Sequence, residues 1–353
     1  MKTKINKLPS ILSLTYEELM DHLVNAGFEK YRSQQIYQFL YQKGVKQFSD
    51  IINIPKKLID YLESSFTLHT LNEIDCKVSK KEDTYKYLFQ LSDGLKIESV
   101  VIKEFNRNTL CISSQVGCPL NCVFCLTGKM GIERNLKTDE IIDQFLYLKE
   151  KHESIDNIVF MGMGEPFLNY NNLIKAIRIF NSKDGLNFSI RRITISTAGI
   201  IKGIRRFANE ELNLHLAVSL NSPFQSERLK IMPFTKKNTL GDLLSVCKYY
   251  QEKTGRRITF EYVMIKNVNI DKKDAKRIIQ FSEDIHFNLN LIPYNPIPNC
   301  DYVSPTKEEI FKFIQYFKYS NVEVVQRKRK GRDISAACGQ LATSHKNTNI
   351  IKT

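Results

Sequence analysis

The chain has 353 residues, and its 52 Lys and Arg against 38 Asp and Glu give a formal net charge of +14. A hydrophobic fraction of 42% with 25% charged residues is enough for a packed core and excludes global disorder. There is no apolar run of about 18 residues and no apolar h-region before a small-residue cleavage site in the first twenty, so we expect a cytoplasmic chain with no membrane span. The positive balance favours a polyanionic partner, RNA or DNA, because each phosphate contact releases counterions.

Taken in chain order, residues 1–75 read as a small helical module. Ser13 to Ala26 opens on an S/T-x-x-E pattern at Thr15 to Glu18 and carries Leu19, Leu23 and Val24 at helical spacing. Similar patterns run over Ser33 to Gly44 and Pro55 to Phe66. Lys30, Tyr31, Tyr37, Tyr41, Lys43 and Lys46 lie between the apolar positions and suggest either an RNA-facing surface or a solvated helix face. Residues 76–103 then alternate apolar and polar around a Ser92-Asp93-Gly94 turn, which predicts a β-hairpin bridging two modules.

From residue 104 to about 333 strand-like and helix-like stretches alternate. Strands are expected near Leu110 to Ser114, Asn157 to Met161, Arg192 to Ser196, Leu214 to Leu220, Ile258 to Met264 and Asn288 to Ile292. Helices fit Thr138 to Lys151, Asn171 to Asn181, Ile200 to Glu211, Leu240 to Lys253, Asp271 to Glu283 and Thr306 to Tyr319. Six β-then-α units call for an α/β fold with a parallel sheet, whose site lies at the carboxyl ends of the strands. Periodicity leaves open whether that sheet closes. Residues 334–353 form a C-terminal tail.

Eight cysteines in a chain with no secretory signal are poor candidates for a disulfide framework. Cys76, Cys247 and Cys300 are scattered and read as small buried apolar residues. Cys118, Cys122 and Cys125 instead form a C-x3-C-x2-C loop just after the first strand of the β/α region. Three thiolates so close together can surround a soft metal centre, with Gly117 and Pro119 supplying tight turns. A closed zinc site wants four protein ligands. Three would hold three irons of a 4Fe-4S cluster and leave the fourth iron open, with Phe124 placed to shield it.

The loop resembles the radical S-adenosylmethionine superfamily, in which the open iron binds that cofactor. Met161-Gly162-Met163-Gly164-Glu165-Pro166 resembles the superfamily's glycine-glutamate motif, where glycines let backbone approach the ligand and a carboxylate faces an ammonium. Further segments are similar to the RlmN/Cfr family of RNA methyltransferases, over about residues 10 to 342 and closest to its RlmN side. These are Leu110 to Gln115, Arg191 to Thr197, Asn290 to Pro296, Arg327 to Gly331 and Ala336 to Leu341.

This resemblance implies a partial (β/α)6 TIM-like radical SAM barrel that methylates carbon 2 of an adenosine in 23S rRNA, and of a tRNA adenosine. Carbon-8 methylation and a non-catalytic metal-stabilised RNA-binding protein are the alternatives. It implies two S-adenosylmethionine molecules per turnover, an S-methylcysteine at Cys338, a resolving thiol at Cys111 that forms a transient disulfide with Cys338, and Glu98 as proton acceptor. Cofactor contacts carried over by motif are Gly164, Glu165, Ser196, Ser219, Leu220, Asn221 and Asn295. Where the family usually has Ser-Leu-His, this chain has Ser219-Leu220-Asn221, and asparagine cannot be protonated near neutrality. An external electron donor such as a flavodoxin-type reductant and a monomeric state complete the expectation. The candidate basic surfaces for RNA are Arg191-Arg192, Lys202 to Arg206, Lys236-Lys237 and Arg327 to Arg332.

Overall fold

A computed structural model describes residues 8–105 and 107–343. The predicted Thr15 to Glu18 signal is a complete capping box: Glu18 N donates to Thr15 Oγ1 at 3.2 Å and Thr15 N donates to Glu18 Oε2 at 2.8 Å. It starts the helix Tyr16–Asn25, which buries Leu19 and Leu23. Helices Tyr31–Gln38 and Lys56–Ser65 follow. Tyr37 and Tyr41, read from sequence as candidates for an RNA surface, are instead core residues, each 1% exposed. Their rings lie 4.5 Å apart, and a Cβ on Gly185 would come within 2.7 Å of Tyr37. The module therefore docks on the barrel through these rings, helped by Gln42 Nε2, which donates to Gly185 O at 3.1 Å.

Strands β1 (Leu71–Val78), β2 (Thr84–Leu91) and β3 (Lys96–Glu104) form an antiparallel meander. The predicted hairpin is β2–β3, and Gly94 takes φ 88° at its turn. It does more than bridge. β3 pairs with β4 (Arg107–Cys111), which pairs in parallel with β7, so the meander and the β/α region share one ten-stranded sheet. β5 (Gln115–Cys118) and β6 (Gly131–Asn135) make a separate two-stranded sheet. β7 (Asn157–Phe160), β8 (Ile193–Thr197), β9 (His215–Ser219), β10 (Ile258–Met264), β11 (Phe287–Pro293) and β12 (Glu323–Gln326) complete the parallel run.

The six predicted strands and six predicted helices are present. The third helix stops at Phe207 rather than Glu211, because Glu211 takes a left-handed φ of 55°. The sequence patterns missed β1, β5, β6 and β12. β1 takes in residues 71–75, which had read as part of the helical module, and its mostly exposed side chains give no clear alternation. The edge strands β1 and β12 do not pair with each other, so the barrel is open on one side.

The chain crosses that opening with its own tail. Asp333 accepts from Ser79 Oγ at 2.8 Å and from Lys80 N at 3.0 Å, which ties the segment after β12 to the β1–β2 turn.

Alternation along the parallel strands explains the interior. In β8, Ile193 and Ile195 are fully buried in the apolar core, while Thr194 lines the lumen. In β11, Phe287, Leu289 and Leu291 do the former and Asn288 and Asn290 the latter. β10 places Phe260 and Tyr262 in the core and Thr259 and Glu261 toward the lumen. Parallel strands buried on both faces are normally apolar throughout. Here the inner face is polar, so the barrel encloses a cavity of about 770 Å³ instead of a packed centre.

Candidate active site

The cysteine loop hangs between β5 and the short helix Leu126–Lys129. Gly117 has φ 77°, and a Cβ there would sit 2.0 Å from Gly131 O, so only glycine permits the β5–β6 approach that launches the loop. Asn121 turns the chain at φ 52°. Cys125 N donates to Cys122 O at 3.1 Å, and Leu126 N donates to Gly339 O at 2.7 Å, joining the loop to the tail. Burial pushes the thiols of Cys118, Cys122 and Cys125 upward, Cys118 to about 12. Soft-metal binding reverses that penalty by holding them as thiolates. No three His, Cys, Asp or Glu side chains among the described residues converge on a point that a single ion could fill. The chemistry of the donor set, three cysteines on one short loop and no fourth protein ligand in it, suits a 4Fe-4S cluster, whose thiolates would each take a different iron.

Beside the loop is a smaller cavity of about 160 Å³. Its wall brings together Cys118, Cys122, Cys125, Gly164, Glu165, Ser196, Ser219, Asn221, Asn295 and Cys338, nearly every residue the sequence motifs single out. Cys111 and Glu98 lie outside this wall. Among the cofactor contacts carried over by motif, Leu220 is the exception. Its side chain is fully buried in the main core, its N–H donates to Glu261 O at 2.9 Å and its carbonyl accepts from Arg228.

Gly164 takes φ 103°, and a Cβ would strike Gln115 at 2.5 Å. The Glu165 carboxylate is 2% exposed and accepts from Thr197 Oγ1 at 2.7 Å, Ala198 N at 2.7 Å and Phe167 N at 3.1 Å. Burial nevertheless raises its pKa to about 7. Asn221 lies at φ 53°, a left-handed conformation that asparagine tolerates. Its Oδ1 accepts from Val263 N at 2.8 Å, so it braces strand ends and offers no proton. Asn295 Nδ2 donates to Cys338 O at 3.1 Å, while its buried Oδ1 has no protein partner. An orphaned acceptor in this wall fits a ligand that brings its own donor.

Glu165 leads to a pH prediction. The titratable groups that reach it are the thiols of Cys118 and Cys122, and a cationic amino group can pair with it only once it is ionised. S-adenosylmethionine affinity of the anaerobically reconstituted protein should be full above about pH 7 and weaken by about tenfold per pH unit below it. Equilibrium dialysis across that range should show the decline in the wild type and none in Glu165→Gln.

Cys111 ends β4 and Cys338 lies in the tail, yet both face the large cavity. Burial, and then the Cys338 thiol, push Cys111 up to about 12, against which the Arg327 guanidinium acts. Arg327 lines both cavities and reaches Met161 Sδ at 3.3 Å. It is therefore an interior residue and not part of the expected Arg327 to Arg332 surface.

At its other end the large cavity is rimmed by Arg107, Arg191, Arg192 and Arg257, all exposed, with Arg256 and His215. Basic pairs stand directly before β8 and β10, Arg191-Arg192 and Arg256-Arg257, and the second is as local a sequence signal as the first. Of the other predicted patches, Arg205 and Arg206 stack on Tyr249 and Tyr170 on the outer helices.

Glu98 does not reach either cavity wall. It is 4% exposed; Oε1 pairs with Lys86 Nζ at 3.0 Å and Oε2 accepts from Ala342 N at 2.9 Å. Burial raises its pKa, with Lys86 opposing. Of the three scattered cysteines, Cys247 is fully buried, while Cys76 and Cys300 are half-buried. No helix among the described residues is long and apolar enough to cross a membrane.

Comparison with known proteins agrees with this geometry. Residues 112–279 match the Radical SAM superfamily, and residues 10–68 match the ribosomal RNA large subunit methyltransferase N-terminal domain. A protein of Thermotoga petrophila named "Probable dual-specificity RNA methyltransferase RlmN" is 44% identical over 95% of this chain and 97% of its own. One of the same name from Geobacillus kaustophilus is 42% identical over 95% and 92%. The crystal structure of a radical SAM methyltransferase from Sphaerobacter thermophilus superposes with a TM-score of 0.90 at 37% identity, covering 94% of this chain and 99% of that one. With the three-cysteine loop, the glycine-glutamate strand end and the facing thiols in place, the chain belongs to the RlmN family of radical SAM RNA methyltransferases, enzymes that use a 4Fe-4S cluster and S-adenosylmethionine.

Proposed function

We propose that the enzyme methylates carbon 2 of an adenosine in 23S rRNA, and of a tRNA adenosine, through a methyl carried on Cys338. The observation that carries this reading is the meeting of Cys111 and Cys338 in one cavity beside the three-cysteine loop. Carbon 2 of adenine is electrophilic and has no acidic proton, so a simple displacement on a methylsulfonium has no route. Cys118, Cys122 and Cys125 would hold the cluster and the Glu165 wall S-adenosylmethionine, and together these would supply first a methyl group and then a hydrogen-abstracting radical. An outside one-electron donor of flavodoxin type is required.

The protein's own residues do the rest. Cys338 bears the methyl as a thioether; once a hydrogen atom is removed from it the methylene bonds to carbon 2. The adduct then gives up the carbon-2 proton together with its unpaired electron, which the oxidised cluster would take back. Cys111 then attacks Cys338 Sγ: a sulfur–sulfur bond forms, the sulfur–carbon bond breaks and its electron pair goes to the methylene carbon, which is protonated to methyl. Glu98 is the proton acceptor that the resemblance implies, but it lines neither cavity, so the proton lost from carbon 2 has to be relayed to it. Its bond to Ala342 N couples that task to the position of the tail.

RNA comes in from the arginine rim, where phosphates meet exposed guanidinium groups and the target base, flipped out of its stack, extends up the polar lumen toward Cys338. On this reading the enzyme acts as a monomer in the cytoplasm.

Nucleoside mass spectrometry of rRNA and tRNA from cells lacking the gene, compared with complemented cells, tests the reading. 2-Methyladenosine should vanish and return in both RNA classes. Return of 8-methyladenosine instead would move the reaction to the other carbon, and loss confined to rRNA would remove the tRNA activity.

A further inference from the structure

Arg228, on the short helix Gln225–Ile231, heads the largest fully buried side chains of the described residues, with none of its surface exposed. Its guanidinium donates to Leu220 O and Ala198 O at 3.0 Å, to Ser219 O at 3.1 Å and to Asn238 O at 3.4 Å. All four partners are neutral carbonyls. The charges that reach it come from the thiols of Cys122 and Cys247 and from no carboxylate. Burial pushes the Cys247 thiol to about 12, so it stays neutral and leaves the cation unbalanced.

Buried charges are ordinarily paired, because desolvation is otherwise uncompensated. Carbonyl dipoles solvate this one in part but bring no countercharge.

The surroundings indicate where the countercharge arrives. The last residue of the same helix, Ile231, accepts through its carbonyl from Val123 N at 3.0 Å, inside the cysteine loop. Ile231 and Met232 pack with Cys118 and Cys122 in one apolar cluster. Arg228 therefore stands in a dry wall behind Cys122, where an electrostatic interaction is little screened. A 4Fe-4S cluster on three thiolates is anionic and gains a further negative charge on reduction.

We infer that Arg228 is the counter-ion of the assembled cluster and that its fixed charge, acting through the wall behind Cys122, raises the cluster's midpoint potential. The inference rests on Cys118, Cys122 and Cys125 holding the cluster. The carbonyl bonds at the ends of β8 and β9 set the position of the charge, and the same bonds hold the strand ends that line the cofactor cavity.

The test is an anaerobic redox titration followed by electron paramagnetic resonance on wild type, Arg228→Gln and Arg228→Lys, with iron and sulfide measured in each. The glutamine variant should keep its cluster and show a clearly more negative midpoint potential. The lysine variant, which keeps the charge, should stay near the wild-type value. A glutamine variant with full iron content and an unshifted potential overturns the inference. Should glutamine prevent folding, the lysine variant decides: a full cluster with a strongly lowered potential rules out charge as the determinant, whereas a wild-type potential supports it. If wild-type protein assembles no 4Fe-4S cluster at all, it is the assignment of the three cysteines that fails.

Discussion

Cys338→Ala should abolish RNA methylation while leaving iron content, S-adenosylmethionine binding and fold unchanged. The side chain is small and half-buried, and the tail around it is held by other groups. Thr127 Oγ1 donates to Leu341 O at 2.6 Å, Gln340 Nε2 donates to Pro296 O at 3.0 Å, and Asp333 fixes the upstream end. Truncating the thiol therefore removes a methyl acceptor and little packing. With methyl-labelled S-adenosylmethionine, the wild type should carry label on the tryptic peptide containing Cys338 and the variant none. Label persisting elsewhere on the variant protein would show that the carrier is a different group.

Cys111→Ala should fail later in the cycle and leave a visible product. The variant can still load Cys338 and join it to the base, but it has no sulfur to break that bond. Denaturing gels should show protein shifted by a covalently attached RNA, with almost no released methylated product. Free methylated RNA at wild-type yield would exclude Cys111 as the resolving thiol. Alanine at this position costs little stability compared with a large core truncation, since only one sulfur atom is lost. The Val100 to Cys111 pairing of β3 with β4 uses backbone alone.

Much of the barrel can be read from sequence because its strands follow a strict rule of two. Ile193-Thr194-Ile195-Ser196 and Phe287-Asn288-Leu289-Asn290 announce a strand with one apolar and one polar face, since the apolar face must meet helices and the other must meet something wet. The cysteine loop is equally legible, because its spacing is a local property of the chain.

What escapes depends on partners distant in sequence. β1 and β12 are edge strands with exposed side chains, and nothing in their own residues forces the pairing. Tyr37 and Tyr41 look like surface aromatics until Gly185, far along the chain, closes over them. Glu98 looks like a hairpin carboxylate on a solvated face, yet Lys86 and the tail bury it. Arg228 sits in a run, Gln225-Ser226-Glu227-Arg228-Leu229-Lys230, that reads as an ordinary solvated helix. Its burial comes from strand ends and loops that fold over it. The approach of Cys111 to Cys338 was legible only through family resemblance, since no local pattern links one strand to a tail so remote from it.

The tail is pinned on either side of Cys338, at the β1–β2 turn by Asp333 and at the cysteine loop by Leu341. Seven residues run between those pins, and at about 3.3–3.6 Å per residue the three steps from Leu341 keep the Cys338 backbone within about 11 Å of that pin. The sulfur is on a short leash and cannot ferry its cargo between distant stations. Loading and delivery must then happen at a single berth, with successive small-molecule visitors taking turns there while the carrier stays put.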